Sequence, residues 1–246
     1  MIGIFDSGLG GLTVVKEVRR LLPSVDIIYL GDTARVPYGT RSPQTIRKFA
    51  EEDTKFLLHQ QVDLIIVACN TVSSLALDVV RKYSSIPVFG VIDSAYKKAF
   101  KVTKSGRVGL VGTRATINSS AYKDVKLRRH ASLLVPLIEE GFIKGPEIEL
   151  FIKKYFLDFK RNVDTLILGC THYPLIKDKI SEFLGSTVVL VDPAEEIAHE
   201  IKKYLKNTGG TSVEEYYLTD VNKQFLQTAK MFLGKDISDK VNKTNL

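Results

Sequence analysis

The 246-residue chain has two cysteines, two methionines and no tryptophan. Two cysteines cannot staple a disulfide-dense scaffold, nor can they fill the ligand shell of a Cys-rich zinc site. Long apolar runs are missing too. The longest, such as Leu64-Ile65-Ile66-Val67-Ala68-Cys69, have the length of strands. A membrane span needs roughly 18 apolar residues. No secretory signal is expected, because charged Asp6 follows only five apolar residues. Low-complexity tracts are also lacking. What is present is a globular composition, 44% hydrophobic and 26% charged. The expectation is a soluble cytoplasmic protein whose cysteines are reduced thiols. Lys+Arg minus Asp+Glu is 35 − 28 = +7, which favours an anionic partner.

Short β-branched runs alternate with longer amphipathic stretches. Strands are expected at Ile2–Phe5, Asp26–Leu30, Leu64–Ala68, Val88–Ile92, Val108–Val111, Thr165–Leu168 and Val188–Val191. Helical patterns fill Thr13–Leu22, Ser42–Gln60 and Thr71–Lys82. In the first, Val14, Val15, Val18, Leu21 and Leu22 share a side opposite Lys16, Arg19 and Arg20. The alternation predicts an α/β fold with largely parallel sheets, which bind ligands at the carboxyl ends of their strands.

An internal repeat organises the chain. Asp63-Leu-Ile-Ile-Val-Ala-Cys69-Asn70-Thr71 matches Asp164-Thr-Leu-Ile-Leu-Gly-Cys170-Thr171-His172, with Asp six residues before Cys in both. Val88-Phe-Gly-Val-Ile-Asp93 resembles Val188-Val-Leu-Val-Asp192, and Gly3-Ile-Phe-Asp6-Ser7 lines up with Gly109-Leu-Val-Gly112-Thr113. Three matched strand ends in one order predict two similar lobes. Residues 1–95, with a returning segment 208–246, would form the first, and residues 96–207 the second. Thr208–Ser212 reads as a linker, Tyr216–Thr219 as a strand, Asn222–Leu233 as a helix, and Lys240–Leu246 as frayed.

Each cysteine ends a predicted strand and opens a predicted helix. Helix N-terminal N–H groups favour a thiolate, which tunes a thiol toward acid/base work near neutrality. Thiols from two facing lobes would meet across one cleft. That arrangement suits inversion at carbon, one thiolate removing a proton while the other thiol delivers one to the opposite face. Phe5-Asp6-Ser7-Gly8-Leu9-Gly10-Gly11 reads as an anion-binding loop between strand and helix. Thr13 stands where a dinucleotide fingerprint wants glycine, and no Walker-A lysine follows. Asp6 is placed to orient or deprotonate a group at the site. Val36-Pro37-Tyr38-Gly39 reads as a loop over the ligand, and Asn70, Thr71, Thr171 and His172 as helix-start contacts. His172 titrates near neutral pH and stands beside Cys170. The clusters Lys97, Lys98, Lys101, Lys104, Arg107 and Lys123, Lys126, Arg128, Arg129 carry no nucleic-acid motif. They read as solvated faces, with a non-catalytic anion- or DNA-binding protein as the alternative.

Together, Phe5–Gly11, Val36–Gly39, Ala68–Thr71 and Gly169-Cys170-Thr171-His172-Tyr173-Pro174 resemble the glutamate racemases, nearly to residue 235. Aspartate and hydantoin racemases share the two-cysteine plan, so a racemase for aspartate or another acidic compound is the runner-up. The resemblance implies two α/β lobes with pseudo-twofold symmetry and an active site between them. It implies interconversion of L- and D-glutamate without pyridoxal or any other cofactor, and without metal, for peptidoglycan synthesis. Cys69 and Cys170 carry over as the acid/base pair, with Asp6, His172 and Glu139 as auxiliary groups. Asp6, Ser7, Tyr38, Gly39, Asn70, Thr71, Thr116, Thr171 and His172 carry over as substrate contacts. A homodimer and a peptidoglycan-precursor activator are further family traits. The Lys123–Leu134 segment is shorter than in the family, which predicts a trimmed second lobe near the cleft.

Overall fold

A computed structural model describes residues 1–205 and 210–246. It contains two parallel sheets. The first joins β1 (Ile2–Asp6), β2 (Ile27–Gly31), β3 (Leu64–Val67) and β4 (Val88–Gly90). The second joins β5 (Val108–Gly112), β6 (Leu127–His130), β7 (Thr165–Gly169) and β8 (Val189–Val191). Near the C-terminus, β9 (Glu214–Leu218) and β10 (Val241–Lys243) return to the first sheet. The strand orders are β10-β9-β2-β1-β3-β4 and β6-β5-β7-β8, so the second sheet repeats the order of the first four strands.

The strands have period-two apolar character with both faces covered. On one face Ile2, Ile4, Ile27, Tyr29, Leu64 and Ile66 join a core shared with Leu166 and Leu168 of the second sheet. Helices Leu12–Leu21 and Pro193–Tyr204 pack against each other within that shared core. On the opposite face Phe5, Ile28, Leu30, Ile65 and Val67 meet helix Pro43–His59 through Ile46, Ala50 and Leu57. The far face of the second sheet is covered by Ile92, Ala95 and Ala99. At about 25 cal/mol per Å2, this apolar burial is the main force holding the two sheets together.

Local chemistry sets several element ends. Ser42 caps Pro43–His59 by accepting from the Thr45 N–H, and Pro43 needs no donor there. Asn222 caps Lys223–Leu233 in the same way, and Gly234 ends that helix at φ 73°. Other elements depart from expectation. The run Val88–Ile92 is a strand only to Gly90; Val91 and Ile92 begin the helix Val91–Val102, buried between neighbours. The expected lobe boundary at residue 95 falls inside that helix. The helix expected over Thr71–Lys82 is two helices, Asn70–Leu75 and Leu77–Tyr83, because the chain leaves helical geometry at Ala76. Lys240–Leu246 is not frayed: Val241–Lys243 pairs with β9, and Thr244 N–H donates to Leu218. The short Lys123–Leu134 segment still holds an edge strand, β6. Part of the expected linker, 208–209, and the boundary at 207/208 lie outside the described residues. Among the described residues no helix is long and apolar enough to cross a membrane.

Candidate active site

In each sheet the strand order reverses beside the first strand. β1 lies between β2 and β3, and β5 between β6 and β7. Such a switch point opens a crevice at the strands' carboxyl ends. Asp6-Ser7 and Cys69 flank the crevice of the first sheet, and Thr113 and Cys170 that of the second. The two crevices face one cavity of about 360 Å3. Ser7, Tyr38, Gly39, Cys69, Asn70 and Thr71 line it from one side, and Glu139, Cys170, Thr171 and His172 from the other. Among the described residues, its lining includes no lysine or arginine. The net positive charge of the chain is therefore not focused in the cavity. Part of the basic surface serves structure instead: Arg128 donates to the carbonyls of Val125 and Ser119, and Arg129 to Asp158.

Cys69 occupies the N-cap position of the helix Asn70–Leu75, and its Sγ lies 3.5 Å from Ser7 Oγ. The N–H groups of Val72 and Ser7 also face the sulfur. These donors favour the thiolate, as the helix-start position predicts. They are outweighed. Burial, then the charge of Asp6, pushes the Cys69 thiol up to about 12. At this thiol, burial and Asp6 oppose the tuning toward neutrality expected from the helix start.

Cys170 has a different neighbour. His172 Nδ1 lies 3.8 Å from its Sγ, and His172 Nε2 is 2.8 Å from Glu139 Oε1. The ring is held edge-on against Phe232, 5.3 Å between centroids. Burial opposes charging the ring. Hydrogen bonds to Cys170 and Glu139 prevail and raise its pKa to about 10. One thiol thus faces a carboxylate, and the other a cation. Glu139, which ends the helix Leu134–Glu139, is fixed from behind where Thr228 Oγ1 donates to its carbonyl.

Asp6 sits beneath the cavity and does not line it. It is 1% exposed; Oδ2 accepts from the Gly8 N–H at 3.1 Å, and Oδ1 has no hydrogen-bond partner among the described residues. Burial raises its pKa against the pull of His172 and of three backbone N–H groups. A raised folded pKa means that the folded state holds the proton more tightly. Stability is then lost as pH rises from 3.8 through the folded value. Asp6→Asn should therefore raise the denaturation midpoint at neutral pH while lowering turnover about 10²-fold. Denaturant titration and steady-state kinetics on one preparation check both.

Glycine allows a close approach between the lobes. A Cβ on Gly10 would stand 2.2 Å from Thr171 Oγ1 and 2.6 Å from the His172 ring. Thr13 Oγ1 donates to the Gly10 carbonyl and lies 3.1 Å from that of Thr171, tying the first helix to the second thiol's loop.

Thr116 is not at the cavity. It is fully buried, and its Oγ1 lies 3.1 Å from Thr113 Oγ1. Thr113 caps the helix Arg114–Asn118 by accepting from the Thr116 N–H, which turns Thr116 inward. Thr113 itself lines the cavity and pairs with Thr71 across it, at 3.0 Å between hydroxyl oxygens. Sequence reasoning passed over Thr113, although the repeat matches it to Ser7. It also passed over Leu133, Val135 and Pro136, which with Val36 of the expected loop form an apolar rim.

The sequence model for the Asp/Glu/Hydantoin racemase family matches residues 11–201. The glutamate racemase of Aquifex aeolicus is 45% identical over 247 residues, 98% of this chain and 96% of that protein. The crystal structure of glutamate racemase from Francisella tularensis, in complex with D-glutamate, matches with a TM-score of 0.90 and 39% identity, covering 99% of this chain and 97% of that one. The Escherichia coli glutamate racemase, in complex with L-glutamate and the activator UDP-MurNAc-Ala, matches with a TM-score of 0.76 and 27% identity over 94% of each chain. The chain belongs to the Asp/Glu/Hydantoin racemase family, a class of isomerases, and within it to the glutamate racemases.

Proposed function

We propose that the enzyme interconverts L- and D-glutamate by proton transfer between two thiols, Cys69 and Cys170. The observation that carries this is their placement. The two sulfurs open on one cavity from matching strand ends of two lobes. A carbon held between them is approached from opposite faces. One thiolate removes the α-proton, the other thiol protonates the far face, and the roles exchange in the reverse direction.

The residues around each sulfur have distinct work. Cys69, held as a thiol by burial and Asp6, donates first when the reaction starts at Cys170. His172, charged and braced by Glu139, keeps positive charge beside the Cys170 sulfur and the developing carbanion. Ser7, Tyr38, Gly39, Asn70, Thr71, Thr113 and Thr171 offer neutral donors to the substrate's polar groups. Without lysine or arginine among the described lining residues, the carboxylates are held by hydroxyls, amides and backbone N–H groups preorganised around the cavity. Residues 1–95 with 208–246, and 96–207, act as the two lobes, connected through the helix Val91–Val102. The product feeds peptidoglycan in the cytoplasm, the chain works as a homodimer, and a peptidoglycan precursor activates it. The activator UDP-MurNAc-Ala in the Escherichia coli complex supports the last point.

Polarimetry of purified protein with L-glutamate, without added cofactor, tests the reading. Optical rotation should decay to zero. With L-aspartate at equal concentration it should barely change; decay with aspartate alone would reassign the substrate.

A further inference from the structure

Behind the Val36–Thr40 lip lies a buried polar cluster whose two aspartates do not line the cavity. Asp32 follows β2, Tyr38 belongs to the lip, and Asp53 lies in the middle of the helix Pro43–His59. Asp32 and Asp53 are 0% exposed, and Tyr38 is 1% exposed. The Tyr38 hydroxyl bonds Asp32 Oδ2 and stands 3.3 Å from Asp53 Oδ2. Arg35 Nε also donates to Asp32 Oδ2, and its Nη1 to Glu52, while Nη2 is 3.5 Å from Asp53 Oδ1. The guanidinium stacks on Phe49, 4.0 Å from the ring centroid. From β9's end, Thr219 Oγ1 donates to Asp32 Oδ1 at 2.9 Å. Lys48 reaches only Glu52, at 3.7 Å.

Proton counting decides how this cluster is arranged. A phenol has one hydrogen, and here two carboxyl oxygens face it. Were both carboxylates ionised, one would meet a phenol lone pair among fully buried groups, a costly contact. The charges agree: Asp32, Glu52 and Asp53 face one guanidinium, and the Lys48 ammonium reaches Glu52 and neither aspartate. Burial, with Asp32 nearby, also pushes the Asp53 carboxyl well above its ordinary range.

We propose that Asp53 is a positioning residue, held as a neutral acid that donates to Tyr38, so that Tyr38 donates to ionised Asp32. This one-way chain holds the lip against the cavity, where Tyr38 and Gly39 line the substrate's space. Asp32, which accepts from Thr219, Tyr38 and Arg35, works only as the anion. The proposal for turnover rests on reading the cavity as the glutamate site; the protonation state does not.

The test compares Asp53→Asn, Asp53→Leu and Asp32→Asn, with infrared spectra for protonation and kinetics for positioning. An amide replaces a neutral acid almost isosterically and keeps its donor. Asp53→Asn should thus fold, keep KM for glutamate within about twofold, and remove one protonated-carboxyl C=O band present in the wild type at neutral pH. Asp53→Leu and Asp32→Asn should raise KM about tenfold or more, with a smaller change in kcat. The wild-type KM should rise in alkali, and that of Asp53→Asn should rise less. A wild-type spectrum without that band overturns the protonation. Failure of Asp53→Asn to fold, or an Asp53→Asn as damaged as Asp53→Leu, overturns the donor role. If the band is lost as expected but no variant has glutamate turnover to compare, including the wild type, the assignment of the cavity has failed and the protonation stands.

Discussion

Cys170→Ser should cut racemisation about 10²–10⁴-fold in both directions, and Cys69→Ser should do the same. A serine hydroxyl fills the same space and accepts the same hydrogen bonds, but it does not ionise usefully near neutral pH. Both thiols are buried at the ends of fully buried strands. The loss of one sulfur should therefore leave the fold standing, with thermal midpoints close to the wild type. The two variants should differ in which half-reaction survives. Each keeps one working base on one face of the α-carbon. Cys69→Ser should still abstract the proton that Cys170 takes, and Cys170→Ser the proton that Cys69 takes. Exchange of the α-proton, measured separately for the two antipodes, reads this difference. A single catalytic thiol would give one dead variant and one nearly normal one.

His172→Gln should lower kcat about 10²-fold and also change how stability depends on pH. In the folded protein the ring's pKa is about 10, against 6.5 for the ordinary group. A raised folded pKa means that stability from this proton is complete below 6.5 and is lost as pH rises through about 10. Denaturant midpoints of the wild type should therefore fall across that window. Those of His172→Gln should fall less, because glutamine carries no titrating charge. Cys69 also titrates in alkali, but it does so in both proteins and cancels in the comparison. Glu139→Gln should show a weaker form of the same change, since the Cys170 contact to the ring remains. Matching pH profiles for wild type and His172→Gln would mean that the ring is neutral in the cleft.

Much of the architecture is legible in the chain because its signals are local. The strands around Cys69 and Cys170 are short β-branched runs buried on both faces, and such runs show in any window. The repeat then pairs the cysteines without further information, and Ser42 and Asn222 announce their helices by capping. What escaped notice depends on distant partners. β6 reads Leu-Arg-Arg-His and β10 reads Val-Asn-Lys; they are edge strands whose polar side chains hide the pairing. Thr113 and Thr116 are alike in sequence, and only the cap geometry decides which one meets the cavity. The raised pKa of Cys69 does not follow from its helix-start position, because burial and then Asp6 reverse the helix contribution. Asp53, between Glu52 and Thr54 in an amphipathic helix, looks like an ordinary solvated acid until Tyr38 folds over it.

Reaction in D2O, started separately from each antipode and stopped early, probes the paired thiols most directly. Two bases on opposite faces predict deuterium in the newly formed enantiomer and almost none in the remaining substrate, in both directions. Equal early labelling of substrate and product would show one group serving both faces, and would contradict the account.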